Sequence, residues 1–206
     1  MNGGDRARTP ADRLRLMHRL ELATHATWLL HSKEEALERE RARLEGHAAR
    51  SRDDWTTRCE AASAQLARAR MLGAGDELAR LVATGVAPAS VEPDWQTSMG
   101  IRFPGGVACT PGPPPPVTST AALAPAIDEF GEALRAGARH AAATMALRRL
   151  DDELADTRRR RRAIEDHLQP SLERQVHDLD LRLDELDRDE ALRVRLATRD
   201  HERTRS

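Results

Sequence analysis

Eight histidines, two cysteines and 34 acidic residues are the groups with which this chain could hold a metal or move a proton. Their spacing decides whether they can. His18 and His25 lie seven positions apart, and His25 and His31 six. Neither pair has the i, i+4 spacing that lets a helix clamp one metal ion between two imidazoles. Cys59 and Cys109 show no C-x-x-C spacing and no neighbouring histidine pattern, so they read as two free thiols. No G-x-x-x-x-G-K-[ST] phosphate loop is present. Leu72 to Asp76 contains two glycines, but no βαβ context surrounds them. The many acids alternate with arginines on what would be two-sided, solvated faces, where nothing buries a pair of carboxylates and separates their pKa values. We expect no catalytic residue, no metal and no cofactor.

The densest charge cluster is Arg158 to Arg162, five arginines in a row. On a helix these spread around more than one turn. A nucleic-acid surface would add stacking aromatics or a recognised fold, yet aromatic residues are only 2% of the chain and tyrosine is absent. The net charge of -1, with both signs interspersed, gives no field to draw the chain to nucleic acid. The acids of a facing helix are the expected partners of these arginines. Lys33 is the only lysine.

What positions such a surface follows from composition. With 33% charged residues and few bulky side chains, the chain lacks the material of a thick core. Leucine and alanine set among Arg, Glu and Asp is the alphabet of long helices that bury a seam. The N-terminus has no apolar signal region and no stretch approaches a membrane span, which predicts a cytoplasmic protein.

The first helix opens at Thr9, Pro10 and Asp12 with a capping hydroxyl, a proline at the first helical position and an acid. Leu16, Ala23, Leu30, Leu37 and Leu44 then recur every seven residues, a coiled-coil seam. Gly73 and Gly75 are the first stop. Asp76 to Ala83 predicts a short helix ended by Gly85. Beyond it, prolines exclude continuous helix, and short strands are expected at Val91 to Thr97 and Ser98 to Phe103. The alternative pairs Met99 to Phe103 with Val107 to Thr110 across Pro-Gly-Gly. The Pro111 to Pro116 tract reads as a stiff polyproline connector.

A second long helix starts between Thr120 and Pro125. Its seam is read through Ile164, Leu168, Leu172, Val176, Leu179, Leu183 and Leu186, with two consecutive steps of four around Pro170, the expected helix bend. The fold class is therefore mainly α: a long antiparallel two-helix coiled coil with a small irregular or β-hairpin insert. Its divisions are 1–72, 73–120 and 121–206. The Leu16 to Leu44 seam is expected to face the Leu168 to Val194 region, with the alanine-rich segments paired near the turn.

Three runs, in order, resemble the D subunit of the V-type and archaeal-type ATP synthases. In the first helix Leu29, Leu30 and Lys33 match a Leu-Leu-x-x-Lys motif. Centrally, Met99, Gly100, Ile101 and Pro104 look like its Met-Gly-Val-x-x-Pro hairpin. In the last helix Arg159, Arg160, Ala163, Ile164 and Glu165, then Pro170, then Leu183, Asp184, Glu185, Asp187 and Arg188 follow its pattern. Arg161 and Arg162 depart from it, standing where the family carries Val and Asn.

The resemblance implies a non-catalytic central rotor shaft that couples ion-driven rotation to ATP synthesis or hydrolysis. Its partners would be the hexamer of catalytic and nucleotide-binding subunits, the small F subunit, and the funnel-shaped subunit above the membrane ring. Lys33, Arg188 and Arg193 are candidate hexamer-facing contacts. The chain would be peripheral to the membrane through that complex, neither inserted in it nor bound to nucleic acid. A stand-alone coiled-coil scaffold or adaptor is the alternative that composition alone would favour, and a nucleic-acid-binding helix hairpin using Arg158 to Arg162 is a third.

Overall fold

The computed structural model describes residues 9–85, 87–113 and 121–203. Helix α1 spans Pro10–Met71 and α2 Gly75–Thr84; strands β1 and β2 span Ser90–Ser98 and Ile101–Thr110. Helix α3 spans Ala124–Ala163 and α4 Gln169–Arg203, joined by a π turn at Ile164–Leu168. The fold is mainly helical, with long N- and C-terminal helices packed together and a two-stranded antiparallel hairpin between them. Pro114 to Pro116, and the start signals up to Thr120, lie outside the described residues.

Helix α1 is closed at both ends by its own chemistry. The Asp12 amide donates to the Thr9 hydroxyl oxygen at 3.2 Å, and the Thr9 amide donates back to the Asp12 carboxylate at 3.1 Å. This reciprocal cap satisfies two donors that the first turn leaves free. At the other end Gly73 takes φ +89°, which lets the Ala74 amide reach the Ala69 carbonyl at 3.1 Å.

The chain divides into two compact units. One contains the N-terminal stretch up to Glu34 and the chain from Asp156 onward. Leu16, Ala23, Leu172 and Leu179 are buried together there, and Leu20, Ile164, Val176 and Leu183 pack against them. Arg13 Nε donates to Asp180 Oδ1 at 2.6 Å, while Gln169 Nε2 donates to Thr27 Oγ1 at 3.1 Å. The earlier α1 residue meets the later α4 residue, so the pairing is antiparallel.

The other unit spans Glu35–Ala155. In it Leu37 and Leu44 pack with Ala146, Leu150 and Leu154, and the hairpin adds Ile101 and Phe103. A further cluster joins Ala69, Ala74, Leu81 and Leu123. Buried Ala62, Ala133, Ala136 and Ala143 present only methyl groups, which lets helix backbones come close.

The seam differs from its sequence reading in four places. Leu37 and Leu44 face the Ala146 to Leu154 stretch, not the region after Leu168, because α1 begins at Pro10 and its first turns already use α4 as far as Leu183. Every described side chain from Asp184 to Arg199 is consequently exposed, Leu186 at 55%. Leu168 is 41% exposed. Pro170 explains this: it has no N–H, and its ring would clash with the carbonyl four residues back. The helix accommodates it with a π turn, in which the Gln169 amide bonds the Ile164 carbonyl five residues earlier. The extra residue turns Leu168 outward and puts the Gln169 amide group against α1. Leu30 is half-buried and belongs to neither cluster.

The hairpin turns at Met99 and Gly100, with φ of 52° and 81°, and not at the Pro-Gly-Gly. Pairing runs Asp94 with Gly106 and Trp95 with Pro104, so Gly105 is the extra residue of a bulge. A Cβ there would overlap the Gln96 side chain. A turn with both residues at positive φ suits Asn-Gly, whereas methionine is strained in this conformation. Met99→Asn is expected to stabilise the protein by about 1 kcal/mol. A melting temperature unchanged or lowered would show that the turn is not under this strain.

Candidate functional site

The central unit carries an apolar groove of about 750 Å³ between α1, α3 and the hairpin. Trp55, Trp95, Phe130, Leu134 and Met145 line it and remain partly exposed. Each tryptophan is fixed from outside. Trp55 stacks on His140 with ring centroids 5.5 Å apart, and His140 Nδ1 lies 3.2 Å from Ser51 Oγ. Gly137 makes room for this stack, since a Cβ there would come within 3.0 Å of Trp55 Nε1. Trp95 holds the guanidinium of Arg102 at 5.0 Å and that of Arg149 at 5.9 Å from its ring. At the rim Arg139 Nη2 donates to Asp54 Oδ2 at 3.0 Å.

The contact between Ser51 and His140 is not a nucleophile and base. The Ser51 hydroxyl donates to the Ala48 carbonyl at 2.9 Å, as serines inside helices do. Among the described residues no group of three or more His, Cys, Asp or Glu could hold a metal ion. Cys59 and Cys109 are both free. No described helix is long and apolar enough to cross a membrane. The groove's lining is apolar and includes rigid aromatic side chains, which lose little freedom when covered.

The unit of the chain ends carries a charged cluster. Glu34, 8% exposed on α1, accepts from Arg158 Nε at 2.7 Å and Arg161 Nε at 3.0 Å, both on α3. Arg161 Nη1 also donates to Glu165 at 2.7 Å, and Thr157 is buried beside them in sequence at 1% exposure. Hydrogen bonding from Arg158 holds the Glu34 carboxyl below the usual carboxylate range; desolvation opposes this, and Arg161 adds to it. A carboxylate with a depressed folded pKa contributes its full stability above the unfolded pKa and loses it as pH falls through the folded one. The melting temperature should therefore fall on acidification below about pH 4. The gap between wild type and Glu34→Gln should be widest at neutral pH and close in acid; a gap independent of pH would remove the charge of Glu34 as the cause.

Of the residues singled out in the sequence, Lys33 is half-buried, and Arg188 and Arg193 are exposed on α4. Met99, Gly100, Ile101 and Pro104 lie in the hairpin, with Ile101 and Pro104 buried. The groove residues Trp55, Trp95 and Phe130, and the acid Glu34, were not singled out. Three tryptophans and two phenylalanines in 206 residues were the available signal for the groove. For Glu34, the arginine run itself called for an acid on the facing helix.

Comparison with curated proteins gave no match. A family profile, that of the ATP synthase D subunit, matches residues 13–199, which takes in most of α1 and of α4, with the hairpin and α3 between them. Its match extends over both units and over the groove and the charged cluster alike, and the chain accordingly belongs to the family of the ATP synthase D subunit.

Proposed function

We propose that the chain is the central rotor shaft of a V-type or archaeal-type ATPase, transmitting rotation between ion translocation and ATP synthesis or hydrolysis. The observation that carries this reading is the antiparallel helix pair, with a narrow apolar seam and a charged exterior, in a chain of the D-subunit family. Such a shaft acts by presenting different faces to surrounding sites as it turns, each orientation favouring one conformation of a neighbour. It performs no bond chemistry and holds no cofactor. The unit of the chain ends, in which the first turns of α1 pair with α4 as far as Leu183, enters the hexamer of catalytic and nucleotide-binding subunits, where Lys33, Arg188 and Arg193 make contact. The exposed Leu192, Val194 and Leu196 of α4 support a partner at that end.

The apolar groove of the central unit takes the small F subunit, and the funnel-shaped subunit holds the same unit against the membrane ring. The complex thereby sits at the membrane from the cytoplasmic side, with no nucleic acid among its partners. Reconstitution tests this. The chain mixed with the ATPase hexamer and F subunit should co-purify and restore coupled turnover, and Trp55→Ala with Phe130→Ala should release F while keeping the hexamer. A stable isolated homodimer that binds neither would sink the proposal in favour of a coiled-coil scaffold.

A further inference from the structure

A repeating apolar seam does not by itself say which turn of one helix lies opposite which turn of the other. Leu16, Ala23, Leu30, Leu37 and Leu44 recur at seven, so a slide of one heptad re-forms most apolar contacts. Something polar must break that degeneracy, because only directional groups lose their partners outright when shifted. In the unit of the chain ends two such groups would be stripped by a slip, whereas Arg13, bonded to Asp180, would meet Asp187 or Glu173 after either one. Glu34 takes Arg158 and Arg161 from the opposite helix, and Gln169 takes Thr27.

We infer that Glu34, with Gln169 beside the π turn as a second pin, is the register lock of this helix pair. The sequence penalises both one-heptad slips at Glu34. Seven residues after Arg158 and Arg161 stand Glu165 and Leu168; seven before stand Asp151 and Leu154. A slip in either direction places the Glu34 carboxylate opposite another carboxylate and a leucine, and strips it of both arginines. Thr27 would likewise exchange Gln169 for Val176 or Arg162.

The π turn makes the second pin possible. Without the extra residue ahead of Pro170, the inward position would fall to Leu168, which is now turned out. Arg161 is the asymmetric member of the cluster, since it bonds Glu34 across the seam and Glu165 along its own helix. It is thereby held pointing at Glu34 and cannot follow a sliding partner.

The test reads register directly by disulfide trapping in the full chain carrying Cys59→Ser and Cys109→Ser. Cysteine pairs at 23 and 172, or at 16 and 179, report the native register, since these residues share one buried cluster. Pairs at 23 and 179, or at 16 and 172, report the two slips. With Glu34 and Gln169 intact, native pairs should dominate. Glu34→Leu with Gln169→Leu should raise the slipped share roughly tenfold while helix content is kept. Exchanging the charges (Glu34→Arg, Arg158→Glu, Arg161→Glu, Glu165→Arg) with Gln169 retained should return the native pairs. Native trapping alone in the leucine variant overturns the inference, as does slippage in the charge-exchanged one. Should the leucine variant fail to fold, the charge-exchanged variant decides: native trapping supports the lock, and a mixed or unfolded product refutes it.

Discussion

Leu37→Ala is expected to cost about 2–5 kcal/mol, the range for truncating a fully buried leucine. Leu37 has no exposed surface and shares one buried cluster with Leu150, Leu154, Ile101 and Phe103, so its truncation would open a cavity in the core that joins α1, α3 and the hairpin. For a chain of this size the melting temperature should fall by on the order of 10 °C. Leu168→Ala serves as the control, because the same sequence pattern names both residues but the structure leaves Leu168 half in solvent. It should cost less than about 0.5 kcal/mol, as surface substitutions do. Thermal melts followed by far-ultraviolet circular dichroism compare them. Equal losses would mean that Leu168 faces α1 after all and that the π turn does not rotate it outward.

A one-residue deletion should have its mildest effect at a single place. Removing Leu168 together with Pro170→Ala converts the π turn to ordinary α-helix: the extra residue goes, and so does the proline that required it. Leu172, Val176 and Leu179 then keep their inward positions, and the melting temperature should change by only a few degrees. Removing Ala163 while retaining Leu168 and Pro170 has a different outcome. Proline still demands its π turn, so all residues beyond are rotated by about 100° against those before. Leu172 and Leu179, both nearly fully buried, would swing off the seam, and the cluster with Leu16 and Ala23 should be lost. Should the two deletions melt alike, neither the proline nor the extra residue sets the phase of α4.

Helix phase also separates what could be read in advance from what could not. The seven-residue recurrence of Leu16, Ala23, Leu37 and Leu44 announced a helix that buries one stripe, and Thr9 with Asp12 announced where it begins. Both are local, set by covalent spacing and by bonds between residues three or four apart. The same reasoning carried the second helix only as far as Pro170. Proline showed that the α pattern must fail there, yet its repair by a π turn depended on which residue α1 could accept, and Gln169 was chosen over Leu168. The hairpin divided similarly. Prolines and glycines marked a β element, but Met99-Gly100 became the turn and Pro-Gly-Gly the bulge because Ile101 and Phe103 had to reach the cluster around Leu37.

Sequence by itself determined the long helices, their apolar stripes and the absence of a phosphate-loop motif or of a histidine pair at i, i+4 spacing, since each rests on residues within a turn or two of one another. It also carried the family resemblance, through three short runs in order. Only the tertiary structure decided which turns face each other, that Glu34 gathers Arg158 and Arg161, and that Trp55, Trp95 and Phe130 share one groove. Glu34 and Arg158 are 124 positions apart. No local preference specifies such a meeting; it follows from the one alignment of two helices that pairs their charges while burying their leucines.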